Sequence, residues 1–401
     1  MRKILLITAA VVLGCGQLLA DEDVNRLAQD NSAFAFDLFH QLNGKAGNLF
    51  FSPYSISTAL AMTYGGARGE TASQMAQALH FSSPQDKLPA AFAALRSHLN
   101  EAQGADKVTL AIANSLWPSN RYKFLDSYVS LLKTDYGVSV TPLDYAKTEA
   151  ARGIINQWVE YKTNDKIKDL IGPGVLSPDT KLTLVNAIYF LGKWESVFQP
   201  KDTKPWIFRV GPDKTEDVPM MSQTSRFLYA DLGSLQVLEL PYQGKELSML
   251  IVLPKAPDGL SAIEASLSPQ TLSEWTSKLA KTEVIVRVPK FKMTWGTENL
   301  TTPLEALGMK DAFDANAANF SGMDGDPHGL SIGLVLHKAF IDVKEEGTEA
   351  AAATAIGMRA SMVEAEPSFL ADHPFLFLIQ DNQTGSILFM GRLVDPKAGG
   401  Q

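Results

Sequence analysis

Near the C-terminus a strand-like run, LSIGLVLHKAFIDV (330–343), leads into VKEEGTEAAAATAIGMRASMVEAEPSF (343–369), and a second strand-like run, FLFLI (375–379), follows. The middle segment is rich in Ala and Glu, the best helix formers, so local propensity alone assigns it to a helix. Its neighbours are built for a sheet. Any fold for this chain must therefore give a helix-favouring segment a place between strands.

The rest of the chain narrows the architecture. Val24, Leu27, Ala28, Phe34, Leu38, Phe39 and Leu42 recur at helical spacing and predict an amphipathic first helix. Ser52 followed by Pro53 is a helix-start signal, a side-chain cap and then the residue that needs no NH partner, and Gly65-Gly66 ends that helix. Further helices are expected over 71–79, 128–132 and 151–161. From residue 180 the pattern changes to strands: 182–192, 235–242, 247–254 and 283–289. The runs 375–379 and 386–394 flank Asp381-Asn382-Gln383-Thr384-Gly385 and predict a hairpin. Helices first and strands later make an α+β layout, not an alternating one. No repeat, low-complexity tract or long linker divides 24–396, so one domain is expected.

The N-terminus reads differently. Arg2 and Lys3 precede the apolar run Ile4–Gly14, which has the length and flanks of an export signal, with cleavage expected after Ala20. The single cysteine, Cys15, follows Val12-Leu13-Gly14, an arrangement that resembles a bacterial lipobox. Two outcomes stay open: a freely exported protein, or one anchored to a membrane through lipidated Cys15. In either case no internal disulfide can form, and the core alone must hold the fold. A hydrophobic content of 45% supplies that core. A net charge of −8 argues against nucleic acid and anionic membrane surfaces as partners.

Motifs for catalysis are weak. Gly329-Leu330-Ser331-Ile332-Gly333 fits G-x-S-x-G, but the nucleophile elbow needs a strand turning into a helix, and here another strand follows, with His337 only six residues on. Ser130-Leu131-Leu132-Lys133 fits S-x-x-K without its companion motifs. The histidines (40, 80, 98, 328, 337 and 373) contain no i, i+4 metal pair, and Gly65-Gly66-Ala67-Arg68-Gly69 is not a phosphate loop. The residues point to neither an enzyme nor a metal or cofactor.

The segment EEGTEAAAAT resembles the hinge of inhibitory serpins. NLFFSPYSIS (48–57), GARGET (66–71), NAIYFLGKWE (186–195), VPMMSQ (218–223), VPKFK (288–292), LHKAFIDVKEEGTEAA (336–351) and FLADHPFLFLI (369–379) resemble serpin blocks in serpin order, across 24–396. The resemblance implies three β-sheets, eight or nine helices and an exposed reactive loop over about 345–366. It implies a suicide-substrate inhibitor of serine, or also cysteine, endopeptidases; the N-terminal signal and Cys15 make an exported bacterial one the expectation. A protease attacks the loop, forms an acyl-enzyme, and is trapped as the cut loop inserts into the large sheet. The other reading within the family is a non-inhibitory ligand carrier or chaperone.

The same resemblance assigns residues. The hinge is Glu345, Glu346, Gly347, Thr348, Glu349, Ala350, Ala351, Ala352 and Ala353; Gly347 supplies backbone freedom where strand becomes loop. Counting by twos from Thr348 gives Ala350, Ala352, Thr354, Ile356 and Met358, all uncharged, while Glu349 and Arg359 fall on the opposite face. One face can thus be buried without stranding a charge. Ser52, Ser55, Asn186 and His337 match the family's shutter, a polar cluster beneath the opening sheet. Trp194, Lys290 and Glu345 match its breach, where the loop enters. Counting Glu345 as one, the seventeenth position is Ser361, so the reactive bond is expected at Ser361–Met362, with Ala360–Ser361, a bond after Arg359 and Met362–Val363 as alternatives. Cleavage after Ser361 or Ala360 suits elastase-like or subtilisin-like proteases, and cleavage after Arg359 a trypsin-like one. Residues 82–107 carry only Lys87, Arg96 and Lys107 as Lys or Arg, so no heparin acceleration is expected. A monomer is expected.

Overall fold

In the computed structural model the residues described are 2–104, 107–348 and 367–398, with side chains from residue 22 onward. The chain begins with α1 (Arg2–Leu42), which runs unbroken past the expected cleavage point, and continues through β1 (Leu49–Phe51). Ser52 then caps α2 (Pro53–Tyr64): its hydroxyl accepts the Ser55 N–H, Pro53 occupies the first turn and Gly65 closes the helix. Next come α3 (Gly69–Ala78), α4 (Leu88–Glu101), β2 (Val108–Pro118), α5 (Asp126–Leu131), α6 (Thr148–Lys162) and β3 (Leu182–Lys193). The strand-rich half holds β4 (Lys204–Gly211), β5 (Lys214–Asp231), β6 (Leu235–Pro241), β7 (Leu247–Pro254), α7 (Leu260–Ser266), α8 (Pro269–Thr276), β8 (Ala280–Pro289) and β9 (Phe291–Asn299). It ends with α9 (Thr301–Ala306), α10 (Ser321–Asp324), β10 (Leu334–Lys344), β11 (Gly347–Thr348), β12 (Ser368–Leu370), β13 (Phe375–Asp381) and β14 (Ile387–Leu393).

The strands form two hydrogen-bonded sheets among the described residues, not the three expected. One has five strands in the order β2-β3-β11-β10-β9. The other runs β1-β14-β13-β7-β6-β5-β8-β12, with β4 on β5. The physical reason for the merger is β5, whose 18 residues pair with β8 along most of its length and with β6 at its end. A single long strand therefore joins what would otherwise be separate sheets. The described residues also contain ten α-helical segments where eight or nine were expected; the excess is short, α9 and α10 spanning 6 and 4 residues.

Burial explains the stacking. β3 is buried along nearly its whole length, because both faces of the five-stranded sheet are covered. On one face lies the main core, to which α1, α2 and the larger sheet contribute. On the other, Ile155 and Val159 of α6 pack with Trp117, Val185, Tyr189 and Phe340. The segment after α6 is tied to the sheet by Asn164 Nδ2 donating to Tyr189 OH at 2.7 Å and Lys338 Nζ to Lys168 O at 2.8 Å. Any strand added to the centre of this sheet must pass beneath α6. The C-terminal hairpin forms as expected, with Asp381 accepting from the Thr384 N–H and Gly385 in the left-handed region at φ +72°.

Candidate functional site

β3 and β10 run parallel at the centre of the five-stranded sheet, paired from Thr183–Leu334 to Tyr189–Phe340. Beyond that point they part, and β11 occupies the gap. Gly347 faces Lys193 and Thr348 faces Gly192 on one side, while the same two residues pair with Lys344 and Val343 on the other. The first hinge residues, expected within an exposed loop, are therefore already seated in the sheet. Sequence dictates how. Gly347 has φ +150°, and a Cβ there would lie 2.0 Å from the Gly192 carbonyl oxygen, so only glycine fits without displacing β3. Thr348 is small and uncharged and is fully buried, with its hydroxyl 3.1 Å from Tyr242 OH.

The turn into β11 is held by the residues assigned to the breach. Trp194 donates its indole N–H to Lys344 O at 3.0 Å and its backbone N–H to Glu346 O at 2.9 Å; Phe198 N donates to Glu345 O at 2.9 Å. The Trp194 ring stacks on Tyr242, centroids 4.6 Å apart. Glu345 meets Lys290 Nζ at 2.8 Å and accepts from the Thr203 hydroxyl at 2.8 Å. Partial burial works against its charge, but the Lys290 ammonium and the Thr203 hydroxyl hold its carboxyl below the ordinary value.

At the other end the structure brings Ser52, Ser55, Asn186 and His337 together, all buried. Ser52 N–H donates to His337 Nε2 at 3.2 Å, so that nitrogen accepts, and the ring proton sits on Nδ1, which donates to Asn186 Oδ1. Both ring nitrogens are thus used by neutral imidazole. Burial lowers the His337 pKa to about 3. Ser52 Oγ donates to Leu388 O at 2.6 Å, which ties α2 to β14, and Ser55 Oγ donates to Asn114 Oδ1 at 3.1 Å. Asn186 Nδ2 donates to both Ser55 Oγ and Asn114 Oδ1.

Asn114 was not anticipated from sequence. It lies on β2 directly opposite Asn186, and its side chain also donates to Ser55 O at 3.2 Å. The available signal was a lone amide in the apolar run VTLAIANSLWP. Tyr242 and Thr203 also went unassigned; neither belongs to a motif, and only folding places them at the breach.

Other expectations fall elsewhere. Ser331 is buried and leads straight into β10, and His337 is engaged in the polar cluster, so no nucleophile elbow forms. Among the described residues no group of His, Cys, Asp or Glu could hold a metal ion, and no helix is long and apolar enough to cross a membrane. Glu349, Ala350, Ala351, Ala352, Ala353, Arg359, Ala360, Ser361 and Met362 lie outside the described residues, as does the side chain of Cys15.

Comparison with known proteins gives a consistent answer. A family model described as "Serpin (serine protease inhibitor)" matches residues 29–396. Leukocyte elastase inhibitor A of Rattus norvegicus is 42% identical over 384 residues, covering 93% of this chain and all of the relative. Serpin B3 of Homo sapiens is 40% identical over 395 residues with the same coverage. Among solved structures, uncleaved ovalbumin superposes with a TM-score of 0.83 at 31% identity, over 92% of this chain and all of that one. Human thyroxine-binding globulin in complex with its hormone gives 0.84 at 31%, over 93% and 99%.

Proposed function

The chain belongs to the serpin family of serine protease inhibitors, and from that premise we propose that it traps a target endopeptidase by inserting its cleaved loop along the β3–β10 seam. It acts as a consumed substrate and not as an enzyme. The observation that carries this reading is the seating of Gly347 and Thr348 between β3 and β10. These two residues are the first rungs of the strand that insertion would complete. Extending β11 toward Thr183 and Leu334 separates β3 from β10 and exchanges the His337–Asn186 contact for new partners. A dozen inserted residues gain roughly 10 net backbone hydrogen bonds at about 1 kcal/mol each. About 5.5 kcal/mol already reverses a 1:99 equilibrium. Insertion over some 16 residues at about 3.3 Å each carries an attached enzyme on the order of 50 Å. The intact form is then held by kinetics.

The target is an elastase-like serine protease, a choice supported by the Ser361–Met362 sequence and by the names of the leukocyte elastase inhibitors that this chain resembles. Subtilisin-like enzymes fit the same bond, and a trypsin-like enzyme would require cleavage after Arg359. Cysteine proteases are the second class to assay. The N-terminal signal and Cys15 support export from a bacterial cell, with lipid anchoring when Cys15 is modified. Incubation with elastase, subtilisin and trypsin, followed by denaturing gels and mass spectrometry of the released C-terminal fragment, tests the reading. A denaturant-resistant adduct with cleavage at Ser361–Met362 is expected; complete hydrolysis of the loop with no adduct contradicts it. Retention of the Cys15→Ser variant in the membrane fraction at the wild-type level would overturn lipid anchoring.

A further inference from the structure

A cavity of about 900 Å³ lies between the loop after α1, the β4–β5 turn, the segment leading into α7 and the end of β14. It shares no residue with the breach or the shutter described above. Its walls are mainly apolar: Val210, Pro212, Pro257, Leu260, Pro374 and Val394 line it. The three prolines fix their own φ and have no side-chain freedom to lose, so these walls are held at little entropic cost.

One guanidinium ties the walls together. Arg392, at the end of β14, is only 6% exposed. Its Nε donates to Gly47 O at 2.8 Å and its Nη1 to Glu264 Oε1 of α7 at 3.0 Å. Nη1 also meets Asn43 Oδ1, and Nη2 meets Lys45 O. The loop after α1, α7 and β14 are thus joined at a single side chain. The β4–β5 turn is fixed separately: Lys214 Nζ meets Asp395 Oδ2 at 3.0 Å, and the Arg209 backbone N–H donates to Asp372 O at 2.8 Å. The space is therefore preformed, and its volume falls in the range of roughly 300–1,000 Å³ typical of small-ligand sites.

The charges that line it select the ligand. There are five: Lys45, Arg209, Asp258, Glu264 and Arg392. Arg392 and Glu264 neutralise each other, and Lys45 is engaged by Glu298. Arg209 and Asp258 are exposed and have no ion-pair partner among the described residues. The cavity thus combines an apolar interior with one free cation on β4 and one free carboxylate before α7. Its complement carries both signs on an apolar body. A fatty acid would answer Arg209 but bring a second carboxylate toward Asp258. A single amino acid carries both charges and leaves most of the volume unfilled. An extended tripeptide spans at most roughly 10 Å and suits a space of this size. We propose that this cavity binds a short apolar peptide with free ends, its carboxylate on Arg209 and its ammonium on Asp258. Guanidinium and carboxylate form the stronger, charge-assisted class of hydrogen bond. The proposal does not depend on the inhibitory reading.

Equilibrium dialysis of the full chain against radiolabelled Leu-Val-Phe tests it, with the peptide free, N-acetylated or C-amidated, and with decanoate as the apolar acid. Wild type should bind the free tripeptide and hold each blocked form about fivefold more weakly. Arg209→Gln should bind the free and amidated forms equally, and Asp258→Asn the free and acetylated forms equally. Each variant should keep the discrimination that belongs to the other end. Both side chains are exposed, so the unfolding temperature without peptide should match wild type and show that the variants are folded. Equal affinity for the three forms, discrimination unchanged in both variants, or no binding at millimolar peptide overturns the proposal. Decanoate held more tightly than the free tripeptide overturns the peptide assignment and gives the cavity to apolar acids.

Discussion

The two ends of the β3–β10 seam solve opposite problems. At the breach the strands are already apart, and Gly347 and Thr348 fill the gap under Trp194 and Tyr242. At the shutter the strands pair directly, and a buried network of Ser52, Ser55, Asn114, Asn186 and His337 fastens them to α2 and β2. One end is shaped to admit a strand and the other to resist it. The breach relies on small size and backbone fit, which cost little to extend. The shutter relies on polar groups that are expensive to leave unpaired. Opening should therefore start at the breach and be limited by the shutter.

The largest effect is expected at the seat of Thr348. A guanidinium placed in that fully buried site loses its hydration, and that desolvation far exceeds the gain from one strand rung. Thr348→Arg should lower covalent adduct yield more than tenfold and turn the chain into a substrate, as read by the stoichiometry of inhibition. At the opposite end, Asn186→Ala removes the acceptor of the His337 ring proton and a donor to Ser55. The loss should be about 2 kcal/mol. For a domain of this size that corresponds to a fall of about 2–3 °C in unfolding temperature, measured at fixed scan rate. Inhibition by this variant should persist, with faster spontaneous conversion to an inactive form.

A smaller effect separates the ends by pH. In the unfolded chain His337 takes up a proton as pH falls below its ordinary value near 6.5, whereas burial keeps the folded ring neutral down to about 3. Between those values the unfolded state binds more protons, so stability falls as pH falls, by up to about 1.4 kcal/mol per unit. His337→Gln should start less stable at pH 7.5 but lose less between pH 6.5 and 5 than wild type; parallel curves would remove His337 from the account. The smallest change is expected for Glu345→Gln. Its partner Lys290 is one-third exposed, so loss of the pair should shift stability by no more than about 1 kcal/mol, and less at high salt.

Sequence legibility followed the same division. The cap at Ser52-Pro53, the turn at Asp381–Gly385 and the apolar runs that became β3, β6, β7, β8, β10, β13 and β14 were all readable, because each is a local signal that burial reinforces. β2 was missed because VTLAIANSLWP follows a helical stretch and contains Ala and Leu, both good helix formers. β4 and much of β5 were missed because their apolar runs, Trp206–Phe208 and Phe227–Ala230, are short and set among charged and polar residues. Family resemblance assigned Ser52, Ser55, Asn186 and His337 to one cluster, whereas Asn114, which joins them, depends on a strand register that sequence does not encode locally.

The most direct test is a crystal structure of the chain after cleavage at the loop. Residues from Glu349 onward should continue β11 as a full strand between β3 and β10, with Asn186 and His337 no longer in contact. A cleaved form in which Thr183–Tyr189 still pairs with Leu334–Phe340 would contradict the account.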